Sequence, residues 1–252
     1  IQVLVSGLMF NAFGTYIVLL ERDFGWSRTA LAGAFSLARI EDGLLGPAQG
    51  WILDRYGPRM VMLIGIIIFA IGFILFSRID TMLGFYVTFL IMSIGAALGG
   101  FLSLTTAIVN WFDKKRTFAI GLTLLGSAIG GLTLPLVVQA LEAYGWRPVA
   151  MASGILVLLV GLPLTQIVRH RPEPYGYLPD GREADEGSYG TTGKSGANDA
   201  NDANDANDDG NVTAGEALRT RAFWFISLAH GAAVLIVSAV TVHFTAHVTE
   251  TL

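Results

Sequence analysis

The chain has 252 residues, of which 53% are hydrophobic and 14% charged, where soluble domains carry about 25% charged residues. Seventeen charged residues lie between Arg169 and Arg221, so the rest of the chain has too few to cover a water-exposed surface, which excludes a soluble two-domain enzyme. The absence of cysteine excludes disulfides, thiolate zinc sites and a Cys nucleophile, and a net charge of −4 without clustered Lys and Arg excludes a nucleic-acid footprint.

A membrane span takes about 20 mostly apolar residues. Seven such runs are predicted, at residues 1–20, 29–53, 60–77, 83–112, 117–141, 148–168 and 222–248. The fold class is therefore an all-α membrane protein. Residues 1–168 form a six-helix transmembrane half, 169–221 a polar, acidic, largely disordered cytoplasmic loop, and 222–252 the first helix of a second half. Ile1 already sits inside an apolar run and residues 250–252 follow another, so the chain is expected to be a fragment. Residues 1–20 lack the basic start and the A-x-A-like site of a signal peptide.

Lys and Arg set the orientation. The loops after spans 2, 4 and 6 hold eleven of them and the loops after spans 1, 3 and 5 hold four, which makes the first set cytoplasmic. Trp26 and Trp146 then fall at the outer boundary, and Trp51, Trp111 and Trp224 at the inner one, as an aromatic belt requires.

After span 2 comes Gly50-Trp51-Ile52-Leu53-Asp54-Arg55-Tyr56-Gly57-Pro58-Arg59. Gly50 is expected to let another helix approach closely. Asp54 and Arg55 are expected to end the helix as an acid–base pair. Gly57 and Pro58 make the turn, and Arg59 starts the next helix facing anionic lipid. An ordinary positive-inside turn is the plainer alternative.

The pattern resembles the major facilitator superfamily signature G-x-x-x-D-R-x-G-x-R, in its place between helices 2 and 3. Pro58 departs from the basic residue commoner there. Asn11 to Tyr16, Phe24 to Arg28, Trp111-Phe112 before a basic triplet and Ala217 to Trp224 resemble the monocarboxylate-transporter and oxalate/formate-antiporter branch. The resemblance implies a 12-helix bundle of two six-helix halves with the substrate near the midplane between them. This chain would hold the first half and one further helix.

Charges inside a span are costly and mark candidates for function. Span 2 has Arg39, Glu41 and Asp42. Arg39 and Asp42 are i,i+3 neighbours able to pair, and Glu41 lies about 200° around the helix from Arg39. They read either as a coupling carboxylate beside an anion-attracting cation, or as a structural ion pair with Gly43, Gly46 and Gly50 providing close helix contact. The resemblance implies that helices 1, 4 and 7 line the cavity, so Asn11, Tyr16, Ser103 and His230 are the expected substrate-binding residues. Gly7, Asn11 and Gly14 share a face, as do Gly95, Gly99, Ser103, Thr106 and Asn110, although such stripes more often serve helix packing. His243, His247 and Glu250 read as an interfacial polar edge. Gly121, Gly126, Gly130, Gly131 and Pro135 resemble the helix-5 antiporter motif without its Gly-Pro pair, which leaves uniport, symport and antiport open.

In the loop, Asp205, Asn207, Asp209, Gly210 and Glu216 fit the calcium-loop spacing. The plainer reading is an Asn-Asp-Ala repeat followed by a capping box, Thr213 to Glu216, so no metal or cofactor is expected. The function expected is secondary active transport of a small organic solute, a mono- or dicarboxylate anion, coupled to H+ or a counter-anion. Gly50, Asp54, Arg55, Gly57 and Arg59 set the inward–outward balance. The protein is expected to be a monomer in the lipid bilayer, multi-pass, in the inner membrane of a prokaryote. No H-E-x-x-H, G-x-S-x-G or charged triad points to an enzyme. The alternatives are efflux of a hydrophobic compound, which Arg39 argues against, and a non-transporting membrane sensor that docks partners on its acidic loop.

Overall fold

The computed structural model describes residues 1–169, the backbone of 177–178 and 182–183, and residues 219–225, 227–229 and 232. The chain divides into two units, Ile1–Tyr189 and Gly190–Leu252. In the first, the runs Gln2–Phe24, Arg28–Phe76, Met82–Trp111, Arg116–Tyr144 and Trp146–Ile167 are long and apolar enough to cross a membrane. The second run is two helices, because Gly57 breaks it with φ 76° and ψ 160°. The described residues thus hold helix 1 (Gln2–Phe24), helix 2 (28–56), helix 3 (58–76), helix 4 (Met82–Trp111), helix 5 (Arg116–Tyr144) and helix 6 (Trp146–Ile167), close to the six spans expected.

Local chemistry explains the boundaries. Gly25 ends helix 1 in the left-handed conformation. Ser27 and Thr81 cap helices 2 and 4, their hydroxyls accepting from the Ala30 and Gly84 amides at 3.2 and 3.1 Å. Helix 4 is interrupted at Gly100 and helix 5 at Thr133, two residues before Pro135. Helices 1 and 6 each contain a wide π turn, at Ser6–Asn11 and Val157–Gly161.

Small residues make the closest contacts, as in other membrane bundles where backbones pack directly. A Cβ added at Gly95 would lie 2.3 Å from the Phe69 amide nitrogen, and one at Gly65 2.3 Å from the Gly99 nitrogen, so helices 3 and 4 meet backbone to backbone. Gly154 brings helix 6 against the Ala70 carbonyl, and Gly130 brings helix 5 against Val3 and Gly7 of helix 1. Phe69, Phe73, Phe85 and Phe89 fill the space between. The glycines of helix 2 behave differently. Nothing among the described residues comes within 4 Å of a Cβ at Gly43, Gly46 or Gly50. They lie on a face left open beside exposed Ile40, Leu44 and Trp51.

Beyond helix 6, Tyr177–Leu178 pairs antiparallel with Arg182–Glu183, Tyr177 opposite Glu183. This short ladder falls inside the stretch expected to be largely disordered, and Pro179-Asp180-Gly181 between the strands is a turn signal. In the second unit, residues 221–225 and 227–229 are helical, with the Thr220 hydroxyl accepting from the Phe223 amide at 3.3 Å. The rest of the seventh span, with His230, and the calcium-type residues Asp205, Asn207, Asp209 and Glu216 lie outside the described residues.

Candidate functional site

Helix 2 carries a polar stripe. Arg39, Asp42, Gly46 and Gln49 follow at helical spacing, so they share one face. Arg39 is eleven residues into the helix, about 16 Å at 1.5 Å per residue, near the middle of a hydrocarbon core about 30 Å thick. Asp42, Gly46 and Gln49 line a cavity of about 310 Å³ with Gln2, Val5 and Phe10 of helix 1 and Ser93, Ala96 and Phe101 of helix 4.

Arg39 Nη1 donates to Asp42 Oδ2 at 3.3 Å, the expected pair. Its guanidinium also lies 4.8 Å from the Phe35 ring centre and 5.2 Å from that of Phe10. Glu41 projects toward Ser93 of helix 4, another residue of the cavity wall; both its carboxylate oxygens are shielded from solvent and complete no hydrogen bond among the described residues. Gln49 is buried and donates to the Ala97 carbonyl at 2.8 Å, within reach because the break at Gly100 loosens the helix-4 backbone pairing. Gln49 is the site residue that sequence reasoning missed. Its signal was the helical spacing that continues the Arg39–Asp42 face.

Of the other expected substrate residues, Asn11 and Tyr16 do not line this cavity, whereas Ser103 stands behind it, its hydroxyl accepting from Gln49 Nε2 at 3.5 Å. Asn11 Nδ2 donates to the Ser6 carbonyl at 2.8 Å and to Ser6 Oγ at 3.0 Å, and Ser6 Oγ donates to the Ser127 carbonyl at 3.0 Å. Asn11 thus secures the π turn of helix 1 and, through Ser6, its contact with helix 5. Tyr16 is buried against Phe76, rings 5.4 Å apart, with its hydroxyl facing Ser153. Ser103 is fully buried and donates to the Leu98 carbonyl. Gly95 and Gly99 of the same stripe pack on helix 3, the packing role that such stripes usually have.

At the turn between helices 2 and 3, Asp54 and Arg55 do not pair. Adjacent residues on a helix point about 100° apart, while residues four apart face each other. Arg55 lies over the ring of Trp51, four residues back, at 5.5 Å, and also 5.8 Å from the ring of the adjacent Tyr56, while Asp54 is exposed with no ion pair among the described residues. Arg59 starts helix 3 with a contact the sequence did not suggest: Nη2 donates to Gln166 Oε1 at the end of helix 6. Gly57 makes the turn as expected, in a conformation that favours glycine. At the opposite end of the bundle, Trp146 Nε1 donates to Asp23 at 2.8 Å, Arg147 donates to Asp80 at 2.7 Å, and Arg28 to Glu21 at 2.6 Å. These bonds tie helices 1, 2 and 6 and the connection after helix 3.

Six apolar spans, a glycine turn after helix 2 and a polar face at mid-depth are the features of a polytopic helical membrane protein. The chain matches the Major Facilitator Superfamily over residues 1–251 and belongs to that superfamily of transporters, which are not enzymes. It is an integral, multi-pass membrane protein. It is similar to the fujikurins efflux protein of Gibberella fujikuroi, at 34% identity over 56% of this chain and 30% of the relative. It is similar to the oxalate:formate antiporter of Oxalobacter formigenes, at 23% identity over 94% of this chain and 52% of the relative. It is also similar to monocarboxylate transporter 3 of Gallus gallus, at 31% identity over 70% of this chain and 35% of the relative. The chain thus spans from 30% to 52% of the length of these relatives. They come from a fungus, a bacterium and an animal, so they do not single out the prokaryotic membrane that was expected.

Proposed function

We propose that the protein is a secondary active transporter of a small organic anion, a mono- or dicarboxylate, working by alternating access between two half-bundles. The observation that carries this reading is the polar face of helix 2, where Arg39, Asp42 and Gln49 stand beside a cavity of about 310 Å³ in a bundle otherwise nearly free of charge. A cation at mid-membrane costs about 2.5–3.5 kcal/mol on insertion scales. An anionic cargo gives a reason to keep it, and a hydrophobic cargo does not. The oxalate:formate antiporter of Oxalobacter formigenes and monocarboxylate transporter 3 of Gallus gallus are named for anions, which agrees with this reading.

In this reading Gly50 and the open face of helix 2 receive a helix of the second half, and Asp54, Arg55, Gly57 and Arg59 set the inward–outward balance. Glu41 and Asp42 serve coupling to H+ or to a counter-anion. Asn11, Tyr16 and Ser103 act by shaping helices 1 and 4 around the cavity.

The test is uptake of labelled lactate, pyruvate, formate and oxalate by the full-length protein in proteoliposomes. Flux of at least one carboxylate above empty liposomes is expected, and none for all four refutes the substrate class. Asp54→Asn should lower that flux with insertion intact; full activity would remove its assigned role. A second reading, efflux of a hydrophobic compound, is favoured by the name of the Gibberella fujikuroi relative. Extrusion of a lipophilic dye without carboxylate flux would replace the first reading by the second.

A further inference from the structure

The Arg39–Asp42 pair has features that a structural ion pair does not need. Phe35 lies one turn before Arg39 on helix 2, and Phe10 comes from helix 1; their rings meet edge to face at 6.5 Å. Both approach the guanidinium within cation–π range, 4.8 and 5.2 Å. A guanidinium carries five N–H donors. Among the described residues Arg39 uses one, Nη1, at 3.3 Å, longer than the roughly 2.7–2.9 Å of a strong charge-assisted bond. The Arg39 side chain is 53% exposed. A cation is thus held in place by aromatic rings from two helices, weakly engaged and open to further acceptors.

The acceptor it has is itself a cavity residue. Asp42 lines the cavity with Phe10, Gln49 and Ser93. A carboxylate therefore stands where the aromatic clamp, the cation and the cavity meet. Resting on the carboxylate-transport reading above, we propose that Asp42 is a resident stand-in for the substrate's carboxylate. In the empty carrier it engages Arg39. An entering organic anion displaces it, taking the Arg39 N–H groups with its carboxylate while its remaining polar atoms lie toward Gln49 and Ser93. The exchange breaks one guanidinium–carboxylate bond and forms another, so binding stays weak enough for the cargo to leave on the far side. The resident carboxylate also repels a second anion near the same cation.

Transport by Asp42→Asn, Arg39→Gln and Arg39→Lys of the full-length protein, in proteoliposomes with labelled oxalate and lactate, tests this. Asp42→Asn is close in shape and removes the competing charge. It should lower KM several-fold and slow turnover, because release becomes harder. Arg39→Gln should raise KM at least tenfold, with Arg39→Lys restoring part of the affinity. Stabilisation of the purified variants against heat by oxalate reads binding without transport, and should be larger for Asp42→Asn than for wild type. A structural ion pair moves the melting temperature of the empty protein in both variants and leaves KM alone; that pattern overturns the proposal, as does a raised or unchanged KM in Asp42→Asn. If Arg39→Gln does not fold, Asp42→Asn decides by itself. If the wild type neither moves nor is stabilised by any carboxylate, the transport reading fails and this inference falls with it. Wild-type flux with unaltered variants overturns the inference alone.

Discussion

Replacing Gly95 by Ala tests the seam that holds helices 3 and 4 together. The added methyl would lie 2.3 Å from the amide nitrogen of Phe69, 2.6 Å from its Cα and 2.8 Å from its Cβ. Ordinary contact begins near 3.4 Å, and the first two neighbours are backbone, so no rotamer change relieves the overlap. The helices must part locally by about 1 Å, and a gap of that size forfeits up to about half of a dispersion well. The loss is shared by the other contacts of the seam, Gly65 on Gly99 and Gly72 on Met92. Overpacking costs about 1–3 kcal/mol or more, and rigid neighbours put this site at the upper end. Ala gains about 1 kcal/mol over Gly in helix propensity. The net, about 2 kcal/mol of destabilisation, corresponds to a melting temperature lower by roughly 4–8 °C for a domain of this size. Tryptophan fluorescence melts of the detergent-purified protein read it directly. Gly43→Ala is the control, since nothing lies within 4 Å of its added methyl; it should be neutral or stabilising. The reasoning fails if Gly95→Ala melts with the wild type, or if Gly43→Ala falls as far.

Asp23→Ala leaves the buried Trp146 indole N–H without its acceptor, which should destabilise by about 1–3 kcal/mol in the same melts, whereas Asp23→Asn keeps a carbonyl there and should cost less. Gly57→Ala forces a side chain into φ 76°, ψ 160°, a region nearly restricted to glycine; a loss of about 1–3 kcal/mol and faster tryptic cleavage at Arg55 or Arg59 are expected. Asn11→Ala removes the bonds to Ser6 at the π turn and should lower the melting temperature while leaving oxalate KM unchanged, which an amide in direct contact with substrate would not allow.

Much of the half-bundle is legible in the chain. The apolar runs locate six helices because a span needs little more than length and hydropathy. Ser27, Thr81, Gly25 and Gly57 mark ends and turns because caps and positive φ are local requirements. Arg39 and Asp42 were legible as a pair, being neighbours on one helix face. Asp54 and Arg55 were misread because adjacency in sequence was taken for adjacency in space; the helix turns them apart and gives Arg55 to Trp51. Among the glycines, Gly95 and Gly99 were legible as a packing stripe and do pack on helix 3, but their partner there, Gly65, was not, because which residues of two helices meet depends on how each is rotated.

The sequence by itself determined that this is a multi-pass α-helical membrane protein, and where its first six helices begin and end. Those properties depend on hydrophobicity and backbone preference summed over neighbouring residues. Only the tertiary structure decided which side chains meet. Arg59 with Gln166, Ser6 with Ser127, and Phe10 over Arg39 are encounters between residues on different helices. They depend on how each helix is rotated about its axis and how closely small residues let it approach the next, and one residue of rotation, about 100°, sends a side chain to another partner.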